Sequence, residues 1–378
     1  MPPHFDLAIH HRLQEIAAST LKALAKGSYD VNGVHYNLAP SIEALRAATE
    51  LFPDASPSLT AWKDQPSPEP AHNTQIIFSH ASTLIASRRY ASAFTSADTA
   101  TTARVGLLNF ASAETPGGGF EHGAQAQEES LARSSTLHTS LTSSHGAPFY
   151  QSHFTEPQGL YRNAMIWSPK VSFFRADDGK WTAPFEADVL TSPAVNAFEV
   201  RLRLRVSGKG GEVDANALIE STMRERMARI LRLFELKGSQ TVVLGSFGTG
   251  AFGNDVGTIA RIWAELLGKG GRFEKSFAVV DFAIIDEGTL GTFKGEFQRK
   301  ANEIKWRSDE GLSSIHSMLT RHARNIKPSC VEVGHIEISS SPLCLTLSTG
   351  TPSCFSRLLR VAISNRPPSS ASPSGPSR

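Results

Sequence analysis

Apolar residues at helical spacing mark the amino-terminal part of the chain. Residues 6–24 carry apolar side chains three or four positions apart and predict a helix that ends near Gly27. A second helix is predicted over residues 41–52, directly after Pro40. Residues 53–73 hold five prolines, which indicates an irregular connector or a loop that covers a binding site.

From residue 74 the pattern changes to short apolar runs that alternate with helical stretches. The predicted strands are residues 75–79, 103–110, 164–168, 187–192, 240–245 and 276–285. The predicted helices are residues 82–94, 125–141, 214–236, 256–267 and 289–300. Strands that alternate with helices favour a mostly parallel sheet, so we expect an α/β fold.

The carboxyl-terminal segment has a different composition. From Gly311 onward it contains 16 serines, and it ends with the sequence PPSSASPSGPSR. Such a segment cannot bury enough apolar area to fold by itself. We therefore divide the chain into an N-terminal helical extension with its connector at 1–73, an α/β body at 74–300 and a disordered tail at 301–378. An error in the predicted gene structure is an alternative origin of the tail.

Charge and cysteine content narrow the function of the body. The segment from Gly311 carries seven Arg/Lys and two Asp/Glu, a net of +5, so the total of +2 leaves positions 1–310 with a net charge of −3. The body therefore gives no compositional case for nucleic-acid binding. All cysteines lie in the tail, and the body has no disulfide framework, cysteine zinc site or thiol nucleophile. They are Cys330, Cys344 and Cys354.

Targeting signals are not visible in the sequence. The amino end lacks a basic region followed by an apolar run, and no stretch reaches about 18 apolar residues. We expect a soluble monomer in the cytoplasm or the nucleus, without a membrane partner.

Candidate chemistry concentrates in the stretch PGGGFEHGAQAQEES. Gly117, Gly118 and Gly119 have no Cβ, so this segment can adopt positive φ and let a phosphate or a sugar approach the bare main chain. Glu128 and Glu129 follow in the first turns of a predicted helix. Adjacent helical residues point about 100° apart, so the two carboxylates cannot flank one bond symmetrically, and their roles must differ.

A second glycine loop follows the predicted strand 240–245. In FGTGAFGND, Gly248, Gly250 and Gly253 have the G-x-G-x-x-G spacing of dinucleotide-binding dehydrogenases. Two observations argue against a dehydrogenase: the strand comes late in the chain, and Asp286 lies well beyond the place where a ribose-binding acid is expected. In either case main-chain N–H groups and a helix N-terminus face an anion. The two loops should meet over the carboxyl ends of their strands.

The order GGG, short spacer, QEE resembles the signature of the poly(ADP-ribose) glycohydrolases. The flanking segments NFASAETPGGGF and QAQEESLARSS are similar to the microbial type of that family. The resemblance extends from about Leu7 to Lys300. It implies a macrodomain, which is a three-layer α/β/α sandwich with a mostly parallel mixed sheet and N-terminal helical additions.

The resemblance also implies roles for the acidic helix. Glu129 is the expected catalytic acid, which protonates the leaving 2′-oxygen of the ribose–ribose bond and then accepts a proton from the attacking water. Glu128 is expected to hold ribose hydroxyls as a charged acceptor. Gln127 either binds the ribose as well or makes a structural amide contact with a loop.

Further substrate contacts follow from the same resemblance. The GGG segment contacts phosphate or ribose through its main chain, unless it is only a tight turn, and the second loop wraps the diphosphate of ADP-ribose. Phe252 lies beside the terminal ribose or in the core under the loop, whereas Phe120 is expected in the core. Asn109 hydrogen-bonds the distal ribose or ties down the first loop. The predicted contacts of the second loop are Gly248, Thr249, Gly250, Ala251, Phe252 and Gly253.

We expect a poly(ADP-ribose) glycohydrolase that hydrolyses ribose–ribose bonds at polymer ends and releases ADP-ribose. Its partners are then poly(ADP-ribose) or ADP-ribosylated proteins. The alternatives are a macrodomain that only binds ADP-ribose and a hydrolase of mono-ADP-ribosylated protein. We expect no cofactor, since one acid and a substrate-held water suffice, and no metal, because the nearby histidines form no ligand pattern. They are His122, His138, His145 and His153.

Overall fold

The computed structural model describes residues 7–69, 71–95, 104–154, 159–207 and 214–324, without the side chains of 93–95 and 306–324. The chain separates into two units, Met1–Ser308 and Asp309–Arg378, and the described part of the second unit is the end of one helix. The tail predicted at 301–378 lies outside the described residues after Arg324.

The helices and strands are as follows. The helices are α1 Leu7–Lys26, α2 Ala39–Ala48, α3 Pro57–Thr60, α4 Thr83–Thr95, α5 Gln127–Ser134, α6 Leu137–Leu141, α7 Ala147–His153, α8 Ala197–Val206, α9 Ala215–Leu236, α10 Val256–Leu267 and α11 Glu287–Arg324, with a 3-10 helix at Phe120–His122. The strands are β1 Ser28–Val31, β2 Val34–Asn37, β3 Glu50–Phe52, β4 Gln75–Ser79, β5 Val105–Phe110, β6 Met165–Arg175, β7 Trp181–Ser192, β8 Thr241–Leu244 and β9 Val279–Ala283.

A seven-stranded mixed sheet forms the centre of the body, in the order β3-β6-β7-β5-β8-β9-β4. The strands from β7 to β4 pair in parallel, whereas β3 and β6 run antiparallel to their neighbours. In the central strand, Leu107 pairs with Val189 on one side and Val243 on the other. The apolar run VGLLNF fits this position because helices cover both faces of a parallel sheet. The predicted α/β class is confirmed.

Helices lie on both faces of the sheet and make three layers. On one face, α9, α10 and α11 contribute Phe234, Trp263 and Phe297 to the larger apolar cluster. On the other face, α4 and α5 contribute Leu84 and Leu131 to a second cluster. The segment with α3 packs on the first cluster through Leu59 and Trp62, which are both buried.

The first helix braces the body from the amino end. The buried Thr20 hydroxyl donates to the Arg133 carbonyl of α5 at 2.7 Å and accepts from Arg175 Nε of β6 at 2.8 Å. Gln14 donates to the His122 carbonyl of the 3-10 helix at 3.4 Å. In the part of the chain that the structure describes, no helix combines the length and apolar character of a membrane span.

Several predicted elements are wrong in their extent. The helix predicted at 41–52 ends at Ala48, because residues 50–52 pair with β6 as a strand. The long helix predicted at 125–141 is broken at Ser135, whose backbone is extended and pairs with Phe173. Tertiary pairing overrides local helix propensity at both places.

Other elements are longer than predicted or were missed. Strands β6 and β7 form a long hairpin where the sequence predicted two short strands, and α11 continues past the predicted end at Lys300 to Arg324. The β1–β2 hairpin and α8 were not predicted. Asn32 and Gly33 turn this hairpin with φ of 52° and 77°, and the Asn-Gly pair is a signal that predicts such a turn.

Candidate active site

The two glycine loops meet at the carboxyl edge of the sheet, as predicted. The first loop follows β5 and the second follows β8, and these strands are neighbours. The Phe110 ring at the end of β5 lies 5.5 Å from the Phe247 ring of the second loop. Segments far apart in the sequence thus lie side by side at this edge.

The first loop needs glycine for two separate reasons. Gly117 and Gly118 have φ of 73° and 59°, in the left-handed region that other residues rarely adopt. A Cβ on Gly118 would also overlap Oε1 of Glu129 and lie 3.2 Å from Oε2 of Glu128. The main chain of the loop therefore lies directly against both carboxylates.

Glu129 is buried in the first turn of α5, with one carboxylate oxygen held and one unused. Oε1 accepts from the Gly119 N–H at 3.0 Å, and Oε2 has no hydrogen-bond partner among the described residues. The guanidinium of Arg133 lies one helical turn further on, where it donates to the Ala124 carbonyl at 2.5 Å. Burial lowers the pKa of Arg133, and the charge of Glu129 opposes that shift.

Arg133 was not singled out in the sequence. It stands four residues after Glu129, and an acid and a base at this spacing lie on one side of a helix. That spacing is the signal that would have found it.

Glu128 is fully buried and hydrogen-bonded by two donors. Oε2 accepts from the Ser112 N–H at 2.6 Å, and Oε1 accepts from Asn109 Nδ2 at 3.2 Å. Burial raises the pKa of Glu128 to about 8, with a smaller contribution from the negative charge of Glu129, although the hydrogen bonds lower it. The carboxyl therefore carries a proton at neutral pH, whereas the sequence led us to expect a charged acceptor.

Asn109 and Gln127 connect the acidic helix to the end of β5. The Asn109 side chain is buried between Glu128 and Thr191, donating to each at 3.2 Å. Gln127 accepts from the Phe110 N–H at 2.9 Å and donates to the Leu108 carbonyl at 2.7 Å. Asn109 thus bonds α5 and β7 and not the first glycine loop that it was expected to tie down, and Gln127 bonds the strand β5 and not a loop. The contacts of both residues with a ribose stay predictions.

The second loop presents a row of main-chain donors. Within the described residues, the N–H groups of Gly248, Gly250, Ala251 and Phe252 have no protein acceptor, whereas those of Thr249 and Gly253 bond within the loop. Such a row beside the N-terminus of α10 suits an anion.

An asparagine and an aspartate side chain fix the shape of the second loop. Asn254 Nδ2 donates to the carbonyls of Gly248 at 2.9 Å and Val195 at 2.7 Å. Asp255 caps α10 by accepting from the Thr258 N–H at 2.7 Å. The donors of the loop are therefore held in place before any ligand binds.

Phe252 is half-buried and faces a residue that the sequence did not indicate. Its ring lies 6.1 Å from the ring of Tyr161, which has the unusual φ of 57°. The buried guanidinium of Arg226 holds that backbone by donating to the carbonyls of Leu160 at 2.8 Å and Tyr161 at 3.0 Å. A strained tyrosine against this loop indicates a functional position. No local sequence signal marks it, whereas Phe120 lies in the core as predicted.

Metal-ligand geometry is absent from the described part of the chain. No group of three or more His, Cys, Asp or Glu side chains there could hold a metal ion.

Comparison with known proteins identifies the family. The profile of the microbial-type PARG catalytic domain matches residues 17–176. The crystal structure of poly(ADP-ribose) glycohydrolase from Thermomonospora curvata is 34% identical with a TM-score of 0.67, and the match covers 77% of this chain and 99% of that one. The chain belongs to the microbial-type poly(ADP-ribose) glycohydrolases. A comparison with curated proteins gives no match.

Ligand complexes are known for other poly(ADP-ribose) glycohydrolases with this fold. The enzyme from Deinococcus radiodurans in complex with ADP-ribose is 33% identical with a TM-score of 0.58, covering 69% of this chain and 97% of that one. The Thermomonospora curvata enzyme bound to the inhibitor ADP-HPD is 34% identical with a TM-score of 0.65, covering 77% and 99%. The predicted family and macrodomain-like fold are confirmed.

Proposed function

We propose that this protein hydrolyses the ribose–ribose O-glycosidic bonds of poly(ADP-ribose) and releases ADP-ribose from polymer ends. The observation that carries the proposal is the state of Glu129. Its carboxylate is buried, fixed by the Gly119 N–H through one oxygen, and has its second oxygen free of protein partners among the described residues. Membership of the family and the complexes of its relatives with ADP-ribose support the same reaction.

Glu129 acts as the general acid and then as the general base. Protonated at Oε2, it gives its proton to the leaving 2′-oxygen while positive charge develops at the anomeric carbon. The resulting carboxylate then takes a proton from the water that attacks this carbon. Burial lowers the pKa of the Arg133 guanidinium on the same helix, and the negative charge of Glu129 opposes that shift.

Glu128 positions the terminal ribose. Because its pKa is raised to about 8, its carboxyl is neutral at pH 7 and can donate a hydrogen bond to a ribose hydroxyl. A neutral Glu128 also places no second negative charge beside Glu129. The amide of Asn109 holds this carboxyl, with a ribose contact of its own as the other proposed role.

The second loop holds the diphosphate. The N–H groups of Gly248, Gly250, Ala251 and Phe252, which have no acceptor among the described residues, donate to this anion beside the N-terminus of α10. Phe252 packs beside the terminal ribose, and Tyr161 supports the Phe252 ring from the other side. Gly117, Gly118 and Gly119 line the ribose with bare main chain, while Gln127 keeps α5 against the end of β5.

The substrate that we propose is carried on ADP-ribosylated proteins. We also propose that the protein is a monomer and that it acts in the cytoplasm or the nucleus. Size-exclusion chromatography and cell fractionation test these two statements.

The test of the reaction is release of ADP-ribose from poly(ADP-ribose) by the unsubstituted protein, Glu129→Gln and Glu121→Gln. Glu121 is an exposed glutamate of the same loop and serves as the control. We expect Glu129→Gln to bind ADP-ribose but to lose at least roughly 10²-fold in rate, with Glu121→Gln unchanged.

Other outcomes would contradict the proposal. If the unsubstituted protein binds ADP-ribose and leaves the polymer intact, it is a binding module. If it releases ADP-ribose only from mono-ADP-ribosylated protein, the product is the proposed one, but the bond that is hydrolysed joins ADP-ribose to a protein and not one ribose to another.

A further inference from the structure

An exposed apolar strip runs along α8. Phe198, Leu202 and Val206 are 71%, 59% and 81% exposed and stand four residues apart, so they lie on one side of the helix. Arg201 and Arg205 stand three residues after Phe198 and Leu202, so they lie toward the same side. The helix thus presents an aromatic ring, two aliphatic side chains and two guanidinium groups together.

This face begins at the second glycine loop. The Phe198 N–H donates to the Phe252 carbonyl at 3.3 Å. A Cβ on Gly253 would lie 2.8 Å from Cδ2 of Phe198, so the exposed ring covers this glycine. Arg201 Nη1 donates to the Gly253 carbonyl at 3.0 Å. The face is therefore continuous with the loop that carries Phe252, beside the terminal ribose.

The arginines of α8 differ in how they are paired. Arg203 forms an ion pair with Glu199 at 2.9 Å, and Arg201 Nε donates to Asn216 at 3.1 Å. Arg205 is exposed and has no ion pair with any residue that the structure describes. A free cation beside exposed apolar side chains fits a ligand that carries both an anionic group and a flat ring.

We propose that the α8 face binds the penultimate ADP-ribose unit of the polymer, the unit that leaves when the terminal unit is released. This inference rests on the proposed function. The leaving 2′-oxygen belongs to the adenosine ribose of that unit, so its adenine and its diphosphate must lie close to the terminal ribose. Phe198 stacks on the adenine, and Arg205 and Arg201 pair with the diphosphate.

The chemistry of the face favours this occupant over a protein partner. Three apolar side chains in one strip are far fewer than the side chains, roughly two dozen, that each partner contributes to a stable protein interface. A single nucleotide unit, in contrast, matches one aromatic ring and one or two guanidinium groups. The α8 face would thus let the enzyme prefer polymer over a single ADP-ribose group.

The test compares binding of ADP-ribose with binding of its ribose–ribose dimer in the Glu129→Gln background, where the intact dimer is verified by chromatography. We expect the dimer to bind about tenfold more tightly than the monomer, and Phe198→Ala or Arg205→Glu to remove most of this difference. The affinity for ADP-ribose itself should change by less than about twofold. Phe198→Trp, which keeps a stacking ring, should retain the preference.

Matched controls lie elsewhere on the surface. Leu236→Ala removes an exposed apolar side chain at the end of α9, where the chain returns to the amino edge of the sheet. Lys294→Glu makes the same charge change as Arg205→Glu on α11. Both variants should keep the preference for the dimer.

Two results would overturn the inference. Equal losses of monomer and dimer affinity would show that Phe198 acts only by holding the loop at Gly253. If no variant loses the preference for the dimer, the α8 face does not bind the penultimate unit and serves another partner. A protein that prefers the dimer through Phe198, but whose unsubstituted form leaves polymer uncleaved, would contradict the proposed reaction and not this surface.

Discussion

The carboxylate of Glu129 lies directly against the main chain of Gly118, so a side chain added at Gly118 would displace it. Any side chain at Gly118 would overlap the oxygen that the Gly119 N–H holds. The glycines of the first loop therefore do more than allow a turn. They set the position of the carboxyl that we propose as the catalytic acid.

We expect Gly118→Ala to abolish polymer hydrolysis, with a loss of about 100-fold or more in kcat/KM, because the carboxylate must move away from its position. Gly33→Ala is the control, since Gly33 also has positive φ but no atom lies within 4 Å of its added Cβ. Both variants should lose about 1–2 kcal/mol of stability from backbone strain. Unfolding in urea and steady-state kinetics measure the two effects. Equal activity of the two variants would contradict a role for the contact with Glu129.

At the residue scale, the sequence predicted the acids and glycines but not their surroundings. Residue type and order were enough to single out the first loop and the pair Glu128 and Glu129, because few motifs combine bare main chain with adjacent acids. The choice of Glu129 as the acid came from the resemblance to the family. The charge state of Glu128 could not be predicted, since it depends on how completely the fold buries its carboxyl. Tyr161 was missed because Arg226, which holds its backbone, comes much later in the chain.

At the scale of elements, α5 is fixed by contacts from both directions. Gln127 ties its first turn to β5, and Thr20 of α1 ties its last turn through the Arg133 carbonyl. The N-terminal helix therefore contributes to the orientation of the acidic helix, although it carries none of the proposed catalytic residues.

We expect Thr20→Val to lower the free energy of unfolding by about 1–3 kcal/mol, because it leaves the Arg133 carbonyl and Nε of the buried Arg175 without the hydroxyl that each bonds. Thr292→Val is the control, since its hydroxyl is exposed and bonds only within α11. That variant should stay within about 0.5 kcal/mol of the unsubstituted protein. Chemical denaturation gives both values. A Thr20→Val protein as stable as the control would show that α1 packs without this hydrogen bond.

Element prediction succeeded where local pattern and tertiary pairing agree. The helix at residues 256–267 and the strand at 75–79 were predicted to the residue, because the cap Asp255 begins the helix and a short apolar run defines the strand. The break at Ser135 and the strand at 50–52 were missed, because each results from pairing with strand β6, which comes later in the chain.

At the scale of the whole molecule, two buried groups with large pKa shifts contribute to the pH dependence of stability. Burial raises the pKa of Glu128 from 4.5 to about 8, so its contribution to stability is full below pH 4.5 and is lost as pH rises through 8. Burial lowers the pKa of His153 from 6.5 to about 4, so its contribution is present above pH 6.5 and is lost as pH falls. Of these two groups, only Glu128 titrates between pH 6.5 and 8.

We expect the unsubstituted protein to lose about 2 kcal/mol of unfolding free energy between pH 6.5 and 8, and Glu128→Gln to lose almost none of it. Glu121→Gln, at an exposed position of the same loop, should follow the unsubstituted protein. Urea unfolding at several pH values in this window gives the curves. Parallel curves for the unsubstituted protein and Glu128→Gln would contradict a protonated Glu128.

The order of the sheet has a consequence for how the enzyme is made. β4 is the first strand of the parallel part to leave the ribosome, yet it pairs with β9, which begins only at Val279. The central strand β5 likewise cannot pair with β8 until β8 is synthesised, so the acidic helix is made long before the second glycine loop. Contacts of such long range make folding slow and expose unpaired strands during translation. A nascent chain that stops before Val279 therefore lacks a complete sheet, although it already contains both glutamates.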